Sequence, residues 1–416
     1  MISSLVAFLV SVGAFAVLLP LVVFIHEYGH FKTARLCGVR IDVFSIGFGP
    51  ALKQWTDRHG TVWKIAAIPL GGFVKFFGDA NAASAGAQTA EGDEHHPMTT
   101  QFGSEKERLG AQLTEEEKRV CFHFKPVWQR ALIVAAGPFA NFALAIAIFT
   151  VIFASIGTSY LKPVVGSVQE ESAAAEAGFQ AGDEILAING RRVAQFSDMQ
   201  MRVSIASDEE LTFLVDRAGE EITLVATPRR TVRTDDFGNE VKIGVLGIRG
   251  DGEYLEWRRY GPIEAVGAGV GKVWQVVEIT GRFLSRLVTL QEDPRQLGGP
   301  VTMAKYAGQS VMTGFDERLE VGMGDRVLTS VISFVQFAAF VSVSIGFLNL
   351  LPVPVLDGGH LLYYAYEAIA GRPLSDQVQG VGFRIGLVVV GSLIVFVVVN
   401  DVFQLVSSGL PVASPQ

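Results

Sequence analysis

The pentapeptide His26-Glu27-Tyr28-Gly29-His30 has the residue types and spacing that most clearly suggest chemistry. On a helix, residues four apart share a face, so both imidazoles can reach one metal ion. Zinc suits such a pair, because it takes imidazole and carboxylate ligands and, when catalytic, keeps a fourth position open. Glu27 follows His26 about 100° round the helix, within reach of a zinc-activated water. Its carboxylate can take that water's proton and pass it to a leaving amine. An H-E-x-x-H alone recurs by chance in unrelated proteins, so its setting decides. Here it ends an apolar run, 5–25, that holds no charge. An ionisable side chain at the centre of a bilayer costs roughly 2.5–3.5 kcal/mol on insertion scales. The competing reading is that the apolar segment stops at Ile25 and the pentapeptide faces water.

A third protein ligand is needed. Asp357, in the segment NLLPVPVLDGGH at 349–360, lies at the end of another apolar run. Pro352 and Pro354 prevent regular helix there, and Gly358 and Gly359 allow close backbone approach. Asp357 is equally suited to cap the helix expected to follow, LLYYAYEAIAG. His360 and Asp401 are rival ligands. His360 fits a supporting role beside the site. Asp401 falls towards the outer end of the last apolar run and fits a structural one.

The elements that must position these residues follow from composition. The chain has 416 residues, 49% of them hydrophobic, with a mean hydropathy of +0.35, too apolar for an ordinary soluble enzyme of that length. Four stretches, 5–25, 131–156, 328–351 and 385–405, read as membrane spans. The first has no basic residue before it and no small-residue cleavage site after it, so a retained span is expected rather than a signal peptide. Lys32, Arg35, Arg40, Lys125, Arg130, Arg372 and Arg384 flank the spans on one side. The positive-inside rule makes that side cytosolic and puts both termini, and the long segment before the third span, outside. A net charge of -8 without a dense basic stripe excludes a nucleic-acid partner. Cys37 and Cys121 read as two reduced thiols.

The expected fold class is a polytopic α-helical membrane protein of about four transmembrane helices. A cytosolic-side, β-hairpin-rich, membrane-associated region and an inserted extracytoplasmic α+β domain complete it. The divisions are a first helix with HEYGH at 1–31, a β region at 32–130 and a second span at 131–158. A compact domain at 160–250 follows, then amphipathic helices lying along the membrane at 258–327. The third span with LDGGH occupies 328–360, and 361–407 holds a cytosolic connection and the fourth span. Residues 79–117, rich in Ala, Gly, Ser, Thr and charge, read as a flexible insertion. His95 and His96 within it read as a solvated pair, not a second metal site. The compact domain shows the β-rich runs VVGSV, EILAING, LTFLVDR and EITLVATP and one helix candidate, SAAAEAGF.

HEYGH paired with a distant NLLPVPVLDGGH resembles the site-2 proteases, and most closely the bacterial branch typified by the regulator of sigma-E protease. IPLGGFVKF at 68–76 and AAGPFANF at 135–142 extend the resemblance along nearly the whole chain, apart from 79–117. It implies an intramembrane zinc metalloprotease in which His26, His30 and Asp357 bind Zn2+ and Glu27 is the general base. It further implies that Asn349 contacts the substrate and that Gly71 and Gly72 belong to a membrane-reentrant hairpin pairing with an extended substrate strand. A break of the second helix at Gly137-Pro138 is also implied. ESAAAEAGFQAGDEILAINGRRV at 171–193 is similar to bacterial PDZ domains, a single copy where close relatives often carry two. The implied partners are a single-span membrane protein as substrate, membrane lipid, and a peptide or C-terminus at the PDZ domain. The implied location is a bacterial inner membrane, with the PDZ domain periplasmic and the site towards the cytosol. An anti-sigma factor is the substrate type suggested. The rival reading is a PDZ-bearing membrane scaffold with a non-catalytic metal site.

Overall fold

A computed structural model describes residues 2–78, 112–234, 240–289, 291–316 and 322–409. Helix α1 (Ile2–Leu36) does not stop at Ile25 but carries the pentapeptide within it. Strands β1 (Ile41–Thr56) and β2 (Val62–Phe76) follow. The stretch expected to be a flexible insertion lies outside the described residues from 79 to 111, with His95 and His96. Its last part is not loop but the start of α2 (Glu115–Val120), nucleated by a capping box in which Thr114 and Glu117 satisfy each other's backbone N–H. Helix α3 (Val127–Ser155) runs unbroken through Pro138, where a break was expected. Within a membrane bundle, neighbouring helices and polar side chains make an internal proline tolerable.

Beyond α3 come β3 (Thr158–Leu161), β4 (Val165–Val168), α4 (Ala173–Glu176), β5 (Glu184–Ile188), β6 (Arg191–Arg192) and α5 (Phe196–Ser204). Then come β7 (Leu211–Arg217), β8 (Glu220–Ala226), β9 (Arg229–Thr234), β10 (Glu240–Val245), β11 (Ile248–Gly250) and β12 (Leu255–Arg258). The chain returns to helix in α6 (Pro262–Val288) and α7 (Pro300–Met312), each opened by a proline whose missing N–H costs nothing there. Helices α8 (Met323–Asn349), α9 (Asp357–Ala370) and α10 (Asp376–Gly409) finish it. Among the described residues, four segments are long and apolar enough to cross a membrane: Val6–Leu36, Val127–Ser155, Met323–Asn349 and Gln377–Phe403.

The chain divides into two compact units, one of residues 1–149, 269–277 and 297–416, the other of 150–268 and 278–296. In the first, β1 and β2 pair twice. Segment 41–46 lies between 72–76 and 62–65, and 51–56 pairs with the outer side of 62–66. Asp57 ties the hairpin tip to α1, accepting from the Arg35 guanidinium, from Trp63 Nε1 at 3.0 Å and from the His59 and Thr61 backbone N–H groups. Phe31, Ala34, Phe44, Val74, Phe122 and Ile133 close a core over this sheet.

Within residues 258–327, α7 packs into the helical unit. Its Ala307 is fully buried with Leu18 and Val22 of α1 and Ala338 of α8. Small residues allow that approach, since Ala and Gly let helix backbones come close. The N-terminus of α7 is capped from another helix. Asp401 of α10, 2% exposed, accepts from the backbone N–H of Gly299, Val301 and Thr302 at 2.9–3.1 Å and from the Thr302 hydroxyl at 2.7 Å. A carboxylate at the positive end of a helix satisfies orphan donors and complements the dipole.

The second unit has a four-stranded sheet in the order β6-β5-β7-β8, with three two-stranded pairs, β4 with β11, β9 with β10 and β3 with β12. Alternating residues of β7 (Leu211, Phe213, Val215) join Ile185, Ile188, Phe179, Met199 and Val203 in its core. Asn189 and Gly190 both have positive φ, 49° and 73°, the turn that suits the twist of the β5–β6 hairpin. Asp183 is buried and receives both Arg217 guanidinium bonds at 2.7 Å. Burial pushes its carboxyl up, but Arg217 and the Gln180 N–H outweigh that and hold it below the usual carboxylate range. Arg286 of α6 likewise bridges Glu209 at 2.5 Å and Glu292 at 3.0 Å.

Candidate metal centre

All seven residues singled out from the sequence lie in the first unit. Because α1 stays helical through the pentapeptide, His26 and His30 stack one turn apart, 7% and 6% exposed. Their Nε2 atoms are 3.2 Å apart. Asp357 is the first residue of α9, whose cap position is Leu356 with no side-chain bond, so the carboxylate is not spent on capping. Its Oδ2 lies 3.2 Å from His26 Nε2 and 3.6 Å from His30 Nε2. Among the described residues this is the one cluster of three such side chains whose ligand atoms converge. His360 is not part of it and lies edge-on to Tyr363.

Glu27 is buried on the same turn, and its Oε2 has no hydrogen-bond partner; neither has Asp357 Oδ2. Unpartnered buried carboxylate oxygens are costly and mark an unmet ligand or catalytic demand. Asn349, the last residue of α8, brings its side-chain amide 3.3 Å from His26 Nε2. Gly72 of β2 packs over the site, since a Cβ there would meet Ser45 O at 2.9 Å and Glu27 Cγ at 3.0 Å. At Gly71 φ is +114°, a conformation that excludes other residues, and a Cβ would strike the Phe48 ring. Gly72 therefore brings bare backbone beside Glu27, with Gly71 next to it in the chain.

The geometry fits zinc. A tetrahedral ion with bonds of about 2.0–2.1 Å sets its ligand atoms about 3.3 Å apart. The three separations here, 3.2, 3.2 and 3.6 Å, match that triangle. The outer nitrogens of both imidazoles are held by α3. His30 Nδ1 lies 2.9 Å from the Ile133 carbonyl oxygen, and His26 Nδ1 lies 3.4 Å from the Asn141 side-chain amide. Gly137 makes room, for a Cβ there would lie 2.2 Å from His30 Nε2. Sequence reasoning missed Ile133 and Asn141 as parts of the site. A backbone carbonyl leaves no trace in sequence, whereas a lone Asn in an apolar span was a usable signal.

Comparison with known proteins agrees with this chemistry. The family model described as peptidase family M50 matches residues 14–393. A protein of Agrobacterium fabrum named for zinc metalloprotease activity is 43% identical over 394 residues, covering 94% of this chain and 95% of its own. One of Mesorhizobium japonicum, similarly named, is 42% identical over 398 residues, with 95% and 99% covered. The metalloprotease MmpA of Caulobacter vibrioides is 39% identical over 399 residues, with 95% and 96% covered. The chain belongs to peptidase family M50, the site-2 proteases. It is a zinc-dependent metalloendopeptidase and an integral membrane protein.

Proposed function

We propose that this enzyme hydrolyses a peptide bond within or near the transmembrane helix of a single-span membrane protein, in regulated intramembrane proteolysis. One observation carries the reading: His26, His30 and Asp357 converge at zinc spacing, and the two histidines stand on a helix long and apolar enough to cross a membrane. In this reading these three residues hold the zinc. Bound there, zinc supplies a Lewis acid for the scissile carbonyl and lowers the pKa of water to about 7. Glu27 takes the proton from the attacking water and returns it to the leaving amine. A substrate helix must unwind to expose its carbonyl, and the bare backbone at Gly71 and Gly72 offers a strand to pair with it. Asn349 steadies the unwound backbone.

Residues 160–250, within the second unit, serve as a single PDZ domain. Its cleft of about 270 Å³, lined by Gln169, Phe196, Gln200, Ile248 and Arg249 beside β11, suits a peptide or C-terminus added as a strand. The flanking Lys and Arg residues support an orientation in the bacterial inner membrane with both termini and this domain periplasmic and the site towards the cytosol. The paired HEYGH and NLLPVPVLDGGH motifs support the sigma-E regulator type, with an anti-sigma factor as substrate, and the single PDZ domain departs from that branch's common pair.

The test pairs metal content with cleavage. Wild type and Glu27→Gln are purified in detergent, assayed for zinc and incubated with a model single-span substrate. About one zinc in each with cleavage by wild type alone upholds the reading. Absence of zinc from folded wild type, or cleavage by Glu27→Gln at the wild-type rate, sinks it.

A further inference from the structure

His26 has two ring nitrogens, and only one can serve a metal. Nε2 is the inward one, 3.2 Å from both Asp357 Oδ2 and His30 Nε2. A neutral imidazole that offers Nε2 to zinc carries its proton on Nδ1, and that proton needs an acceptor. His30 meets the same demand with the Ile133 carbonyl, which can only accept, so its tautomer is settled. At His26 Nδ1 the partner is the Asn141 side chain, placed with its Nδ2 3.4 Å from the ring nitrogen, although an amide can be turned to present either atom.

The two orientations have opposite consequences. With Nδ2 towards the ring, the amide donates to the Nδ1 lone pair. The imidazole proton then sits on Nε2, and no lone pair remains for a metal. That orientation also leaves Asn141 Oδ1 buried without a partner. Turned by 180°, the amide oxygen accepts from Nδ1–H and Nε2 keeps its lone pair. Oxygen and nitrogen of an amide are assigned from such networks rather than seen.

We propose that Asn141 is a positioning residue that presents its side-chain oxygen to His26 Nδ1–H, and so selects the tautomer that can hold zinc. The proposal rests on the zinc reading of His26 given above. The backbone around Asn141 is firmly placed for this task. The residue is fully buried on α3, and its own carbonyl accepts from the Ser342 hydroxyl of α8 at 3.0 Å. Gly346, one turn further along α8, packs where a Cβ would lie 3.2 Å from Asn141 Cβ. An acceptor supplied by one helix thus orients a ligand on another. Loss of such a partner typically costs 10–100-fold in metal affinity.

Two nearly isosteric variants in the full-length protein separate the possibilities. Asn141→Leu removes the acceptor, and Asn141→Asp keeps an acceptor while removing the donor. Zinc affinity is read by competition with a chromophoric chelator, and the ligand field by the visible absorption of the cobalt-substituted protein. The expected result is that Asn141→Asp holds zinc at least as tightly as wild type, with the wild-type cobalt spectrum. Asn141→Leu is expected to lose 10–100-fold in affinity and to shift that spectrum. The proposal is overturned if Asn141→Leu binds zinc like wild type, or if Asn141→Asp loses zinc. Should Asn141→Leu fail to fold, the Asp variant alone decides. A wild type that holds no zinc would instead defeat the metal reading, a distinguishable failure.

Discussion

His30 Nδ1 and the carbonyl oxygen of Ile133 lie 2.9 Å apart although 103 residues separate them in the chain. The helix that carries the histidines therefore does not orient them alone; α3 does so from behind. This arrangement depends on the missing side chain at Gly137. We predict that Gly137→Ala displaces the His30 ring and weakens zinc binding about 10–100-fold. Helix content by far-UV circular dichroism should be kept, because Ala favours helix over Gly. Undiminished zinc affinity in this variant would contradict the account.

Arg130 of α3 and Glu367 of α9 form an ion pair at 2.7 Å, with side chains only 12% and 15% exposed. Arg130 also lies over the Tyr364 ring at 5.0 Å. Helix α9 begins at Asp357, so this pair anchors the element that carries the carboxylate. Removing one partner strands a largely buried charge, a change of about 3–5 kcal/mol when burial is complete. Glu367→Gln is predicted to lower the thermal midpoint in detergent and to weaken zinc retention together. Arg130→Lys should not substitute, because an ammonium lacks the planar fork and the stacking face. Calorimetry and chelator competition on the same samples check both points.

Asp401 predicts a different pattern. Asp401→Ala leaves three backbone N–H groups and a hydroxyl at the start of α7 without their acceptor. The expected loss is on the order of 1–3 kcal/mol for the stranded donors. Zinc content at saturating metal should be unchanged, since Asp401 lies outside the metal cluster. A parallel fall in zinc binding would show that α7 and the site are coupled.

The second unit should lose stability in acid. The folded-state value of Asp183 is depressed, so its contribution is fully present above the ordinary carboxylate range. It is lost as pH falls through that range, about 4 for a free aspartate, towards the folded value. Wild type should therefore show a falling thermal midpoint for this unit below about pH 4. Asp183→Asn should be less stable at neutral pH and flatter with pH. Equal slopes for the two proteins would refute the assignment.

The parts of this molecule legible in sequence are those that periodicity or a short motif encodes. The four apolar helices announce themselves by length. The pentapeptide and Asp357 announce themselves by residue type, and the structure brings the three side chains to zinc spacing. What escaped was decided by tertiary packing. Nothing in 41–76 states that 41–46 will be flanked on both sides by segments of β2. Nor does the sequence of α7 state that Ala307 will pack against α1. Pro138 reads as a helix breaker, but α3 passes through it. Partners such as Ile133 for His30, or Glu367 for Arg130, lie more than a hundred residues away and follow no spacing rule.

The cap on α7 also sets an order of events during synthesis. Gly299 leaves the ribosome 102 residues before Asp401, the residue that will accept its N–H. Until α10 has been made and inserted, the start of α7 must borrow water, lipid headgroups or a chaperone for those amides, since hydrocarbon offers them none. Completion of this cap thus waits on the arrival of one carboxylate. Chains arrested before that point should be the ones most open to membrane quality-control proteolysis, and pulse-labelled truncations ending on either side of residue 401 would reveal it.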